Sequence, residues 1–276
     1  MILQTTVDGD RCFAMFSVDH AKGAEAIARA FGNADFRAPA AHELTVAATR
    51  DHEEGWRKVD DPVLRNPQTG LPYLPSETPH PLHVFKAIAS AEWNERRHPY
   101  CGLLVSMHGA GVYLGRMGVS DKHVVEHVPD EDKPLVQRLL AYERERQARL
   151  TAALAAEQEL QELAEQRGIA HSYKLLEFAD TLALYFQQGE PPEQWIPDIF
   201  PNVPVDEEAV TEVTVWPVDA DVVTVTPWPF AVDRLELSCM GRWLSPQSSD
   251  EEFTRAFAAA PVEERTYAIV RNGTGH

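Results

Sequence analysis

The sequence lacks several features that would assign a protein to a broad class at once. Its three cysteines, Cys12, Cys101 and Cys239, show neither the spacing of a zinc site nor that of a disulfide framework, which is typical of a reducing compartment. No run of about 18 apolar residues is present, so no membrane-spanning helix is predicted. The first residues contain no basic segment followed by an apolar one, so no signal peptide is predicted. These absences together predict a cytoplasmic protein.

Basic residues are also scarce. The chain has 25 lysines and arginines against 43 acidic residues, a formal net charge of −18. A field of this sign repels phosphate backbones and anionic lipid headgroups, which argues against nucleic acid and membrane surfaces as partners. A small anionic substrate remains possible, because a metal ion or a local arginine cluster can reverse the field within one site. The length of 276 residues, 44% of them hydrophobic, fits one large domain or a domain with an appendage.

Helical patterns dominate the first two-thirds of the chain. Short strands are predicted at 2–6 and 12–16, on either side of a turn at Asp8-Gly9. Apolar periodicity predicts helices at 17–32, 40–54, 82–97, 100–115 and 171–187, and one or two helices within 129–168. The proline-dense stretch 59–81 predicts a long ordered loop, and a second proline-rich crossover is predicted at 189–206.

The composition changes after Glu212, where short strands are predicted at 213–216, 222–226, 234–243 and 267–271. The predicted fold is therefore mainly α, a helical bundle with a small antiparallel sheet formed by the C-terminal segment and the N-terminal strands, α+β overall. Residues 1–190 form the predicted helical core and 207–276 a β appendage packed on it as one compact unit. The charged, leucine-anchored segment 129–168 is a possible homodimer interface.

Six polar side chains lie in apolar helical settings: His20, His52, Glu53, His83, His108 and Asp180. A lone histidine on an apolar helix is more often a core residue than a ligand, but a carboxylate such as Asp180 within an apolar run is costly unless it is paired or bound to a metal. Four imidazoles and two carboxylates suffice for two metal ions bridged by Glu53. Gly55, two residues after Glu53, is expected to close the helix that carries His52 and Glu53, in the left-handed conformation.

The order of these residues on successive helices resembles the HD-domain superfamily of metal-dependent phosphohydrolases. The same segments, with the chain around them, also resemble an uncharacterised bacterial domain-of-unknown-function family over most of the chain. One departure is that Glu53 stands where the superfamily signature has aspartate. The segments that carry the resemblance are Asp19 to Ala21, His52 to Trp56, Asn66 to Gly70, Leu104 to His108, Phe178 to Asp180 and Pro227 to Phe230.

The resemblance implies a set of roles for these residues. One metal ion would be held by His20, His52, Glu53 and Asp180, and a second by Glu53, His83 and His108, with His80 as the alternative to His83. The expected ion is a divalent transition metal, Fe, Mn, Co or Zn, because imidazoles and carboxylates serve all four. Glu54 is expected to orient a ligand or accept a proton, with a solvated surface carboxylate as the alternative. Arg57, Lys58, Arg65 and Lys86 are expected to be ordinary surface cations rather than substrate contacts.

Three functions are compatible with this ligand set. The first is hydrolysis of a small anionic phosphoester at a mononuclear or dinuclear metal centre. The second is a diiron oxygenase of HD type that acts on a small polyol or phosphonate. The third is a non-catalytic metal-binding or regulatory module, to which Glu53 in place of aspartate gives weight. For any metal centre, the ligands are expected to surround one cavity with the loop 59–81 over its mouth.

Overall fold

The computed structural model of the protein describes residues 1–118 and 127–272. Its helices are α1 (Ser17–Ala30), α2 (His42–Asp51), α3 (Trp56–Val59), α4 (His80–Arg97), α5 (Pro99–Gly111), α6 (Lys133–Ala156), α7 (Gln166–Gln187) and α8 (Asp250–Ala259). Its strands are β1 (Ile2–Thr5), β2 (Cys12–Met15), β3 (Asp198–Pro204), β4 (Val210–Asp219), β5 (Val222–Thr226), β6 (Arg234–Leu244) and β7 (Glu263–Val270).

The prediction of a mainly α bundle with a small antiparallel sheet is wrong. The described residues form a mixed, seven-stranded half-barrel sheet in the order β1-β2-β6-β7-β5-β4-β3. β5 and β7 run parallel, and the other neighbours are antiparallel. β6 pairs with β2 on one side and with β7 on the other, so the first and last strands of the chain belong to one sheet.

β3 was missed because its sequence carries two prolines. Pro201 and Pro204 lie in a strand at the edge of the sheet, and its pairing with β4 shifts register between Phe200 and Val203. An edge strand tolerates proline because one side of its backbone has no ladder bonds to make. The sequence predicts a crossover at 189–206, but the second half of this stretch is therefore part of the sheet.

Two helices, α1 and α7, lie between the sheet and the helices α5 and α6. One large apolar cluster joins the inner face of the sheet to α1 and α7, through residues such as Ile27 and Phe178. A second cluster joins the opposite side of α7 to α5 and α6, through residues such as Leu104, Leu150 and Leu176. α7 is thus buried over most of its length, which explains why apolar residues lie on more than one of its faces. Polar groups on α1 and α7 that face away from the sheet lie at the centre of the protein.

The other predicted elements agree with the structure apart from their ends. The hairpin turns at Gly9, whose φ is +72°, and α5 is the buried helix that the apolar run predicts. The leucines of α6, including Leu139 and Leu154, pack within their own chain, and the homodimer interface at 129–168 stays a prediction. No helix in the described ranges combines the length and the apolar character needed to cross a membrane.

Gly55 does not have the left-handed conformation that a helix-closing glycine would have. Its φ is −62° and its ψ is −25°. It is needed because the chain passes α4 closely: its N–H donates to Ser90 Oγ at 2.8 Å, and a Cβ atom at this position would overlap the carbonyl oxygen of Lys86. This contact fixes the end of α2, where His52 and Glu53 lie, against α4.

Candidate metal centre

Three predicted ligands from three helices meet at one carboxylate oxygen. Nε2 of His20 on α1 lies 2.9 Å from Asp180 Oδ1 on α7. Nε2 of His52, which caps α2, lies 3.2 Å from the same oxygen. All three residues are at most 2% exposed. The three groups therefore form a buried cluster whose donor atoms face one another.

The other ring nitrogens of both histidines are occupied. Nδ1 of His52 lies 2.6 Å from the backbone carbonyl of Thr49, and a carbonyl can only accept, so this nitrogen carries a proton. Nδ1 of His20 lies 2.6 Å from Gln187 Oε1. Histidines that bind metals ordinarily donate their second N–H in this manner, because the bond fixes both tautomer and ring orientation. In both rings, Nε2 is the nitrogen left for a ligand.

The spacing of these donors fits a metal ion. With metal–ligand bonds of about 2.1 Å, adjacent donors are roughly 3.0 Å apart in octahedral and 3.4 Å apart in tetrahedral geometry. The observed separations of 2.9 and 3.2 Å from Asp180 Oδ1 are of this size. The donor set is two imidazoles and a carboxylate, which Fe, Mn, Co and Zn all accept. The residues present thus fit such an ion in number, type and spacing.

His108 and two further carboxylates surround this cluster. The ring centroid of His108 lies 4.8 Å from that of His52, and its Nδ1 lies 2.8 Å from Glu177 Oε1. Glu53 Oε1 lies 3.8 Å from His52 Nε2. Donor atoms of His52, Glu53 and His108 form a second compact group, and those of His108, Glu177 and Asp180 a third. The cluster therefore contains more donor side chains than the three that face one another around Asp180 Oδ1.

Two cationic side chains compensate these carboxylates. Lys86 Nζ lies 3.0 Å from Glu53 Oε2. Nη1 of Arg116 lies 2.7 Å from Glu177 Oε2 and 2.5 Å from Asp180 Oδ2. The expectation that Lys86 is an ordinary surface cation does not match its position, since the residue is 3% exposed.

These charges decide the protonation states of the centre. Burial raises the pKa of Asp180, but Arg116 and the two histidines outweigh it and hold the pKa well below its ordinary value. Burial likewise opposes ionisation of Glu53, yet Lys86 and the neighbouring imidazoles lower its pKa to about 2. For His52, burial lowers the pKa and Asp180 raises it, with a net increase. Both carboxylates are therefore ionised at neutral pH.

A cavity of about 220 Å³ opens onto this cluster. Its lining includes His20, Glu53, His108 and Asp180 with the cations Lys86 and Arg116, and the loop before α4 contributes Pro75, Ser76 and Thr78. The loop 59–81 thus contributes a wall of the cavity, in the place where the sequence predicts a cover.

His80 and His83 both line this cavity but neither joins the three donor groups found among the described residues. Nδ1 of His83 lies 2.7 Å from the hydroxyl of Tyr113. Burial, reinforced by the charge of Lys86, lowers the pKa of His83 to about 3, so the ring is neutral at pH 7. His80 and His83 therefore lie in the cavity wall but outside the donor groups. Glu53 and His108, the other predicted ligands of a second ion, line the same cavity and also belong to a donor group.

Glu54, the predicted catalytic carboxylate, faces away from the cavity. Its two oxygens accept hydrogen bonds of 2.7 and 2.9 Å from Arg57, and it is not among the cavity-lining residues. The segment Asn66 to Gly70 is a turn, in which Asn66 Oδ1 accepts from the Gln68 N–H and Gly70 has a φ of +73°. Its role is to shape the loop.

Sequence reasoning missed two groups of the centre, Glu177 and Arg116. A signal for Glu177 was present, because it lies three residues before Asp180 in a helix and so on the same face. Arg116 gives no such signal. It follows α5 in a short 3₁₀ turn, with a positive φ of 51°, and only the tertiary fold brings it to α7.

The fold and the cluster define an α+β protein with a buried centre of imidazoles and carboxylates. The model of the family named "Protein of unknown function (DUF3891)" matches residues 1–246, and the chain belongs to this family. The match concerns that family and does not extend to the HD-domain superfamily. No curated protein and no solved structure matches the chain.

Proposed function

We propose that this protein is a metal-dependent phosphohydrolase of the HD-domain type, with a divalent Fe, Mn, Co or Zn ion held by His20, His52 and Asp180. The observation that carries the proposal is the arrangement of His52. Its Nδ1 proton is committed to the Thr49 carbonyl, so Nε2 is the ring nitrogen that faces Asp180 Oδ1, at 3.2 Å. Two acceptors at this distance require a cation between them, either a proton or a metal ion.

The residues around the centre fit hydrolysis of a phosphoester. A bound divalent ion supplies a water of lowered pKa and positive charge for the phosphoryl oxygens. Gln187 and the Thr49 carbonyl hold the two histidine rings in place for it. Lys86 and Arg116 bring positive charge to the cavity wall. His83, neutral at pH 7, can accept or donate a hydrogen bond there.

The size and charge of the cavity support a small anionic substrate. Its volume of about 220 Å³ is below the range of roughly 300–1,000 Å³ common for ligand pockets. Lys86 and Arg116 line it but are paired with Glu53, Glu177 and Asp180, so the centre becomes net positive only when a divalent ion is bound. A net positive centre in a chain whose net charge is −18 attracts an anion to that place specifically. A small phosphomonoester satisfies both conditions.

The test is turnover of para-nitrophenyl phosphate and its bis-substituted diester, under anaerobic conditions, with Mn²⁺, Co²⁺, Zn²⁺ or Fe²⁺ added. We expect hydrolysis that depends on one of these ions. The Asp180→Asn variant should lose at least 100-fold of this hydrolytic activity, because the side-chain oxygen that faces both histidines loses its charge. Asp51→Asn is the matched control, since Asp51 is a buried carboxylate paired with Arg50 and Arg97 outside the cavity, and its activity should stay within a few-fold of the parent.

Two other outcomes would contradict the proposal. No hydrolysis with any ion, combined with two bound irons and oxygen uptake, would favour the diiron oxygenase acting on a polyol or phosphonate. No hydrolysis and no bound metal would favour a binding or regulatory module. Anaerobic hydrolysis by the parent protein would exclude both of these alternatives.

A further inference from the structure

Arg116 reaches the centre from an unusual backbone position. Its φ is +51°, a left-handed conformation that non-glycine residues adopt rarely and that persists only where the surroundings impose it. The preceding Gly115 also has a positive φ, 71°. The two residues turn the chain sharply after α5 and direct the guanidinium inward to α7, where its side chain is 17% exposed.

The guanidinium binds one oxygen of each carboxylate in the third donor group, where it occupies the position of a cation. Nη1 contacts Glu177 Oε2 at 2.7 Å and Asp180 Oδ2 at 2.5 Å. These carboxylates, with His108, make up the third of the donor groups. The two oxygens of Asp180 therefore have different partners. Oδ1 faces His20 and His52, and Oδ2 faces Arg116.

The charges of the centre leave room for one divalent ion. Its three buried or nearly buried carboxylates, Glu53, Glu177 and Asp180, are opposed by Lys86 and Arg116, so one negative charge remains without a fixed cation. One divalent ion overcompensates it by a single positive charge. A second would leave three positive charges in a buried space beside Arg116, where repulsion is weakly screened.

From this geometry we infer that Arg116 takes the place of a second metal ion, so that the centre holds one divalent ion and a guanidinium instead of two ions. The inference rests on the proposed metal centre and specifies its composition. It assigns His108 and Glu177 to the support of Arg116 and of the single ion rather than to a second ion. The third donor group then becomes available to a metal ion only when Arg116 is removed.

Equilibrium dialysis of the full-length protein against saturating Mn²⁺ tests the inference by counting bound ions. The parent should bind one per chain. Arg116→Gln should bind two, because Glu177 and Asp180 Oδ2 become free. The double variant Arg116→Gln/Glu177→Gln should return to one, because the second site loses a ligand. Arg97→Gln is the matched control: Arg97 also contacts a buried carboxylate, Asp51, but outside the cavity, and it should bind one.

Removal of a buried cation leaves its carboxylate partners uncompensated and can destabilise the fold, so the melting temperature is measured with and without Mn²⁺. Arg116→Gln should gain more from Mn²⁺ than the parent does. If Arg116→Gln does not fold under any condition, the numbers of ions bound by the parent and by Glu177→Gln decide the question. One bound ion per chain in both proteins supports the inference, and two bound ions in the parent overturn it.

The outcomes separate the inference from the proposed function. Two ions in the parent, or one ion in both the parent and a folded Arg116→Gln, would overturn the role of Arg116 and leave the metal centre standing. No bound ion in the parent would contradict the proposed function itself, and the inference would fall with it.

Discussion

At the scale of single residues, the centre shows which side chains a sequence can identify and which it cannot. His20, His52, His108 and Asp180 are recognisable because each is a polar residue in an apolar helical setting, and the structure brings them together. Glu177 could be identified only through its spacing, three residues before Asp180 on the same face of α7, where its carboxylate is buried. Arg116 contacts Asp180 across 64 residues of chain, a distance over which local pattern carries no information.

Glu143 on α6 is another buried carboxylate. Nearby positive charge and hydrogen bonds compensate its burial less well than they do for Asp180 and Glu53. It is fully buried, and its Oε2 forms an ion pair with Arg146 Nε at 2.9 Å. Burial raises its pKa, and Ser106 and Arg146 offset this only in part. A raised pKa means that folding favours the protonated form. Stability from this group is complete below the ordinary pKa and is lost as the pH rises through the folded-state value.

Glu143→Gln should therefore stabilise the protein at pH 7 to 8. We expect about 1 kcal/mol, or 2–4 °C in melting temperature for a chain of this size, since Arg146 keeps its contact with Glu95 at 2.7 Å. The gain should shrink as the pH falls toward 4, where the parent glutamate is protonated. Thermal melts across this range measure it. Glu92→Gln, an exposed neighbour 3.7 Å from the same arginine, should change little, and a loss of stability in Glu143→Gln at pH 7 would refute the interpretation.

At the scale of elements, apolar periodicity located the helices but not their contacts. α1, α4, α5 and α7 were predicted to within a few residues at most ends. The close approach between the end of α2 and α4 was not predicted, because it depends on the missing side chain of Gly55. β3 was missed because its prolines are tolerated only at the edge of a sheet, and position within a sheet is a property of the assembled fold.

Gly55→Ala tests whether this contact positions the centre. The added methyl group would overlap the Lys86 carbonyl, and overpacking of this kind costs about 1–3 kcal/mol. The melting temperature should fall, and Mn²⁺ affinity should fall with it, because His52 and Glu53 lie only three and two residues before the displaced residue. Both quantities can be read from melts at increasing Mn²⁺ concentrations.

Gly168→Ala is the control for that substitution. Gly168 lies in α7 with open space around it, and alanine should stabilise the helix by up to about 1 kcal/mol without altering Mn²⁺ affinity. If Gly55→Ala behaved like Gly168→Ala, the contact between α2 and α4 would not be what holds the histidine–glutamate pair in place.

At the scale of the whole molecule, the sheet connects the two ends of the sequence. The predicted strands of the last quarter exist, but they form one sheet with the N-terminal hairpin through the pairing of β6 with β2. The largest apolar cluster contains residues of α1 and α7 together with residues of β3 to β7. Strand order of this kind cannot be read from alternation along a single strand, which explains why the sheet was underestimated.

A fragment of residues 1–190 should consequently fail to fold. It would expose the face of α1 and α7 that packs on the sheet, and β2 would lose β6, its partner on one side. We expect no cooperative thermal transition and no Mn²⁺ binding, in contrast to the full chain under the same conditions. A fragment that melts cooperatively and binds Mn²⁺ would show instead that the helices form an independent domain.

The most direct test of the metal centre is anomalous X-ray scattering from crystals of the full-length protein loaded with Mn²⁺ or Zn²⁺, measured on both sides of the absorption edge of the metal. The proposed centre predicts one strong peak in bonding contact with Nε2 of His20, Nε2 of His52 and the carboxylate of Asp180, with the guanidinium of Arg116 retained on Glu177. Ordered side chains at this position with no peak between them, at saturating metal, would contradict the account.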